Sequence, residues 1–129
     1  MLDKHITDAL IGEIRATAHA EILPRFRNLA PADISVKSHP GDLVTEADKR
    51  AEMRLEGAVR HILPGTNFIG EENVAADPHI LEDISSQGLT VVVDPVDGTW
   101  NFAHGLGVFG TMMAVLDGHR PIWGCLYDP

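Results

Sequence analysis

Thr90-Val91-Val92-Val93-Asp94-Pro95-Val96-Asp97-Gly98-Thr99-Trp100-Asn101-Phe102 is the stretch that the rest of the chain is organised around. Three consecutive valines predict a strand buried on both faces. The run stops at Asp94-Pro95, and proline, which lacks an N–H, biases the preceding aspartate toward extended backbone. Asp97 follows three residues after Asp94. In a regular strand that spacing sends two side chains to opposite faces. The carboxylates converge only if the chain turns at Pro95-Val96, and the sequence predicts that turn. Two hard oxygen donors on one bend, with the Val96 carbonyl between them, suit an ion of the Mg²⁺ type. A helix opening at Gly98 or Thr99 offers free N–H groups and a dipole end to an anion such as phosphate. Metal ion and phosphate together point to phosphoryl chemistry.

Upstream, Asn67-Phe68-Ile69-Gly70 reads as a short strand that delivers Glu71 and Glu72 at its end. Adjacent glutamates are usually solvated surface charge. Before them, Ala51, Leu55, Ala58, Val59 and Ile62 recur on one face of a helix that Pro64-Gly65 closes. On this reading Glu46 with Arg50, and Glu52 with Glu56, are solvated surface charges. Thr45 followed by Asp48 fits a capping box at the start of that helix. Asn28 to Gly41 is loop, with a short strand at Ile34-Val36, and Lys37 reads as a solvated lysine. The first element is a long helix from Leu2 to about Arg27. Leu2, Ile6, Leu10, Ile14, Ala18, Ile22 and Phe26 recur every four residues, and Pro24 kinks or ends it. His19, within it, reads as a packed or surface histidine.

Downstream of the valine run, apolar segments at Gly107–Leu116 and Pro121–Asp128 flank Asp117-Gly118-His119-Arg120, a hairpin signal. The second of these segments reads as a central strand. Val74 to Gly88 is a polar connection with a short helical turn at Ile80–Ile84, its acidic residues solvated. Trp100 reads as a hydrophobic cover, His104 is assigned no role, and Asn101 and Phe102 fix the short helix in place.

Composition narrows the function. The 129 residues set a prior of one domain, and 44% apolar with 22% charged residues is the balance of an ordinary globular protein. A net charge of −9 with scattered Lys and Arg argues against nucleic acid as a partner. No basic segment leads into an apolar core near Met1, so no signal peptide is expected. No apolar run approaches spanning length, so no membrane is expected either. Cys125 alone cannot form an internal disulfide, which is compatible with the cytoplasm, and it reads as strand packing.

Three segments in order, Asp42-Leu43-Val44-Thr45-Glu46-Ala47-Asp48, Phe68-Ile69-Gly70-Glu71-Glu72 and Asp94-Pro95-Val96-Asp97-Gly98-Thr99-Trp100-Asn101-Phe102, resemble the D-L-V-T-x-x-D, F-I-G-E-E and D-P-x-D-G-T-x-N-F signatures of the inositol monophosphatase family. The resemblance implies a Mg²⁺-dependent, lithium-sensitive phosphatase with two or three ions per complete site. It implies an α+β fold, two long helices packed on a mostly antiparallel sheet, as the first half of a layered α/β/α/β/α sugar-phosphatase fold. It further implies metal ligation by Glu71, Asp94, Val96 and Asp97, and phosphate binding by Asp97, Gly98 and Thr99. Asp94 bridges two cations in this scheme. Glu71 and the pair Thr99–Asp48 hold and deprotonate a water that Mg²⁺ activates for attack on phosphorus. Lys37 takes a supporting electrostatic role and Glu72 a minor one.

The implied reaction is hydrolysis of a phosphate monoester, inositol-1-phosphate or a related sugar or polyol phosphate, by a homodimer. Nucleotide or sugar bisphosphates remain an alternative substrate class, and a metal-binding or dimerisation module without turnover is an alternative of another kind. Haloacid-dehalogenase-like phosphatases are excluded. Their D-x-D-G-T motif needs an aspartate nucleophile where this chain has Pro95. Residues 1–129 match the N-terminal, metal-binding half of the family pattern. The second half, with its W-D aspartate, lies outside them, so a fragment of a longer enzyme is expected.

Overall fold

The computed structural model describes residues 1–85 and 87–129, without the side chains of Asp83 and Ser85. Among these residues the chain runs α1 (Lys4–Thr17), β1 (Ile34–Val36), β2 (Leu43–Thr45), α2 (Glu46–Ile62), β3 (Asn67–Gly70), α3 (Glu71–Ala76), β4 (Leu89–Asp97), α4 (Thr99–Ala103), β5 (Gly110–Asp117) and β6 (Arg120–Tyr127). β1 and β2 form an antiparallel hairpin, and the main sheet has the order β3-β4-β5-β6. Only β3 and β4 run parallel. Such a pair needs a crossover, and α3 with the 3₁₀ run Pro78–Ser85 supplies it. That run contains the helical turn expected at Ile80–Ile84. Asp77 and Glu82 in this connection are exposed as expected, and the Asp83 side chain lies outside the described residues. The fold is α+β, with two long helices on a mostly antiparallel sheet.

The predicted first helix is less regular than its periodicity suggests. Only Lys4–Thr17 is α-helical; a π turn covers Ala18–Ile22 and a 3₁₀ turn covers Leu23–Arg25. A strict four-residue repeat in an α-helix rotates by about 40° per step away from its face. Widening to π geometry takes up that drift. Leu10, Ile14, Ala18 and Ile22 are all fully buried as a result.

α1 and α2 cover one face of the sheet. Leu10, Ile14, Leu55 and Val59 from the helices meet Phe68, Val91, Val93, Met113 and Val115 from the strands. Burying each such side chain contributes about 1.5–3 kcal/mol. The opposite face differs from expectation. Val92, Met112, Ala114 and Leu126 line an open groove of about 600 Å³, with Val74 and Leu81 at its side. The valine triplet is therefore buried on one face only. β6, expected to be central, is an edge strand here, and Leu126 is 73% exposed.

The hairpin forms at Gly118-His119, with Asp117 paired to Arg120 and Gly118 at φ +57°. Cys125 is a partly buried β6 residue packed against the core, as its reading required.

A second cluster, Ala18, Ile22, Ala47, Ala51, Val96 and Phe102, packs where β4 ends. Phe102 meets Phe109 edge-on at 5.0 Å and Phe26 at 5.7 Å. This apolar floor supports the end of β4 and the short helix α4.

Candidate metal centre

β4 does not turn at Pro95-Val96. It continues to Asp97, and its register against β5 slips between Asp94 and Asp97. A β-bulge of this kind re-aims side chains without ending the strand. The bulge is held by the buried Thr111 hydroxyl, which donates to the Pro95 carbonyl at 2.9 Å. After Asp97 the chain enters α4 through Gly98, whose φ is +89°. A side chain there would be strained, and its Cβ would lie 2.8 Å from the Val108 carbonyl oxygen. The Asn101 amide donates to that same carbonyl at 2.9 Å, and Phe102 is fully buried, so both fix α4 as expected. Trp100, 47% exposed, stacks on His104 at 3.9 Å between ring centroids. It covers that imidazole rather than the core.

Asp48 opens α2 and is fully buried. Its Oδ2 accepts the Thr45 N–H at 2.8 Å and the Thr45 hydroxyl at 2.7 Å. Its Oδ1 lies 2.9 Å from the Thr99 hydroxyl. The helix cap and the link to Thr99 are thus one carboxyl group with two occupied edges. Thr99 Oγ1 also lies 2.9 Å from the Val96 carbonyl oxygen. One hydroxyl proton serves these two acceptors in turn.

Asp94 hydrogen-bonds Glu71 and has Glu71, Asp97 and Asp48 as electrostatic neighbours. Burial first, then Glu71, then the other two carboxylates push its carboxyl up to about 8. Asp94 Oδ1 is buried without a partner. Among the described residues, oxygens of Asp48, Glu71 and Glu72 lie within 4.8 Å of one another, a spacing that fits one cation. The structure therefore brings Asp48, Glu71, Asp94 and Thr99 together. Asp97 is exposed at the rim and lines a shallow cleft with Gly98 and Asn101. The Val96 carbonyl points to Thr99.

Lys37 and Glu72, given lesser roles in the sequence reading, and Glu52, read as solvated surface charge, all lie at or beside this centre. Lys37, expected to be solvated, has a side chain only 17% exposed and sits 3.0 Å from Glu72 Oε1 and 3.5 Å from Glu71 Oε1. Burial lowers its pKa, but the two glutamates outweigh that and leave it raised. The loop carrying it is closed by Asp42, which accepts from the Ser38 N–H and hydroxyl. An oxygen of Glu72 lies within 4.8 Å of oxygens of Asp48 and Glu71.

Glu52, assigned to the solvated face of α2, is 3% exposed. Its oxygens accept the N–H groups of Glu72 at 2.7 Å and Asn73 at 2.8 Å. It lies four residues after Asp48, on the same face of the helix. That spacing was the available signal. Glu46–Arg50 is a surface pair, as read, and Glu56 lies toward solvent as read but pairs with Arg60.

The donor set fits a divalent ion of the Mg²⁺ class. It is made of carboxylate oxygens, one of them buried and unpartnered, with a single lysine to balance them.

A sequence profile described as the Inositol monophosphatase family matches residues 3–129. Inositol monophosphatase 1 of Bos taurus is 36% identical over 96 residues, which is 74% of this chain and 34% of that protein. The IMPase of Thermotoga maritima superposes with a TM-score of 0.79 at 25% identity, covering 95% of this chain and 44% of that one. An IMPase/NADP phosphatase solved with Mg²⁺ and phosphate shares the fold, with a TM-score of 0.78 at 20% identity, covering 97% of this chain and 44% of that one. The chain spans about a quarter to a third of the length of the curated relatives it matches and under half of the solved structures. On the match over residues 3–129, the chain belongs to the inositol monophosphatase family.

Proposed function

We propose that these residues form the metal-binding half of a Mg²⁺-dependent phosphatase that hydrolyses a phosphate monoester of a small polyol or sugar, inositol-1-phosphate being the first substrate to test. The observation that carries this reading is the convergence of hard donors: oxygens of Asp48, Glu71 and Glu72 lie within 4.8 Å of one another, and the Asp94 Oδ1 is buried without a partner. Burial first, then Glu71, then Asp97 and Asp48 hold the Asp94 carboxyl up to about 8. A cluster that resists full ionisation on its own is one that a divalent cation stabilises.

Glu71, Asp94, Asp97 and the Val96 carbonyl are the groups assigned to hold the ions, with Glu72 added by its proximity. When bound, such ions supply Lewis acidity and neutralise phosphoryl charge. Thr99, donating its proton to Asp48, keeps lone pairs free to orient a water molecule, and Glu71 accepts that water's proton. The N–H groups of Gly98 and Thr99 hold phosphate oxygens, with Asp97 beside them. Lys37 offsets repulsion between Glu71 and Glu72. A homodimer and lithium sensitivity belong to the same proposal through the family resemblance, and a cytoplasmic setting through the single Cys125.

The test is phosphate release from inositol-1-phosphate with Mg²⁺, with and without lithium, for wild type and Asp94→Asn. Release that depends on Mg²⁺ and vanishes in the variant is the expected result. Turnover that survives the substitution ends the catalytic reading. A second reading is a metal-binding or dimerisation module without turnover. Metal binding with no phosphate release would select it.

A further inference from the structure

We propose that Glu52 is a positioning residue that locks the first turn of α3, and with it Glu71, against Asp48 and Asp94. The inference rests on the metal-centre reading above and adds to it a residue outside the assigned ligands.

The first N–H groups of a helix need acceptors from outside it. The usual source is a Ser, Thr, Asp or Asn side chain at the cap itself. α3 has Gly70 there, which provides none. The Gly70 backbone is ordinary, with φ −105°, so conformation does not demand glycine. Space does: a methyl group at Gly70 would overlap the Glu52 carboxylate. The cap is therefore delivered across twenty residues of chain by a buried carboxylate.

Burial raises the pKa of Glu52, and the two N–H bonds oppose that shift. A local cap at position 70 would stabilise α3 as well, without burying a charge. It would not tie α3 to α2. The remote cap does, because α2 also carries Asp48, which holds Thr99 at 2.9 Å. One rigid helix thereby sets the distance between the Thr99 end of the centre and the Glu71 end. A loss of that tie moves Glu71 without touching any ligand.

The experiment measures Mn²⁺ binding to the full chain by the electron paramagnetic resonance of free Mn²⁺, for wild type, Glu52→Gln, Glu56→Gln and Asp94→Asn. Glu56→Gln removes the same charge one turn along α2, from the pair with Arg60. Thermal melts accompany each variant. The expected result is Mn²⁺ affinity about 10- to 100-fold weaker in Glu52→Gln, the usual range for a lost supporting hydrogen bond at a metal site. Glu56→Gln is expected to match wild type.

Equal affinity in Glu52→Gln and wild type overturns the positioning role and leaves the metal centre standing. Wild-type affinity no better than that of Asp94→Asn defeats the metal centre itself, and this proposal with it. If Glu52→Gln does not fold, Glu52→Asp takes its place. It keeps the charge but is one methylene too short to reach both N–H groups, so the same loss is expected, and wild-type affinity in it also overturns the proposal.

Discussion

The buried face of α2 is one continuous stripe with two chemistries. Its first half presents Asp48, Ala51 and Glu52, and its second half Leu55 and Val59, all 3% exposed or less. The second half packs into the core with α1 and the strands. The first half faces Thr99 and the start of α3, and every oxygen of its two carboxyl groups has a hydrogen-bonding partner. The same helical repeat thus builds a core at one end and one wall of the candidate metal centre at the other. What changes along it is the kind of free energy involved: apolar burial at one end, matched hydrogen bonds at the other.

The largest way to break this comparison on the apolar side is Leu55→Ala. A buried Leu truncated to Ala typically costs about 2–5 kcal/mol, the spread reflecting how far the surroundings collapse. Denaturant melts should show that loss, while Mn²⁺ affinity of the folded protein stays at the wild-type value. An affinity that falls in parallel would mean that the two halves of the stripe do not act separately.

On the polar side, Asp48→Ala removes the acceptor for the Thr45 N–H, the Thr45 hydroxyl and the Thr99 hydroxyl together. Leaving buried donors unpaired costs about 1–3 kcal/mol. Mg²⁺-dependent phosphate release is expected to fall by far more than the folded fraction does, because Thr99 loses its orienting partner. Loss of turnover only in proportion to unfolding would reduce Asp48 to a helix cap.

The same contrast explains what could be read from sequence. The apolar half of α2 was legible, since Leu55 and Val59 recur at helical spacing. Glu52 was not, because periodicity equates buried with apolar, and a carboxylate buried against backbone N–H groups breaks that equation. Its i, i+4 relation to Asp48 was visible, but its acceptor role depended on Gly70 lying in contact twenty residues away. Lys37 reads as solvated from its own surroundings in sequence, and only the family resemblance gave it a supporting role, because its partners, Glu71 and Glu72, are brought to it by the sheet.

Local chemistry also fixed less at Asp94–Asp97. Pro95 and the spacing of three required a change of direction. Whether that change is a turn or a bulge was decided by pairing with β5 and by the Thr111 hydroxyl. The three motifs located the centre because each supplies hard donors at the end of an element, whatever the path between them. The open sheet face was hidden because three valines look alike whether one face or two are covered.

The centre that the polar half of α2 faces also predicts a pH response that the apolar half lacks. Asp94 has a folded pKa raised to about 8, against about 3.9 when unfolded. The folded chain then holds a proton that the unfolded chain releases. Stability from this group is complete below about pH 4 and is lost as pH rises toward 8. Asp48, Glu52 and Glu72 are shifted in the same direction, each by burial first. Lys37, raised above its ordinary value, loses its contribution only in strongly alkaline solution. In EDTA the melting temperature should fall between pH 5 and pH 8, with a shallower fall in Asp94→Asn. Mg²⁺ should flatten the slope, because it favours the ionised carboxylates. A metal-free melting temperature that rises over that interval would contradict a raised Asp94 carboxyl.

The smallest effect is expected where α2 turns to solvent. Glu56 and Arg60 form a 2.6 Å pair one turn beyond Glu52, with side chains 29% and 62% exposed. Distance alone would rank it with the contacts of Glu52. Screening by water and the entropy of two long side chains set it apart, and exposed i, i+4 pairs contribute about 0.3–0.5 kcal/mol. A double-mutant cycle on Glu56→Gln and Arg60→Gln should return a coupling of that size, falling further at high salt. A coupling of several times that value would show that the rim of α2 shares the low-dielectric setting of Glu52. The contrast between its buried and solvated carboxylates would then have to be redrawn at Arg60 rather than at Glu52.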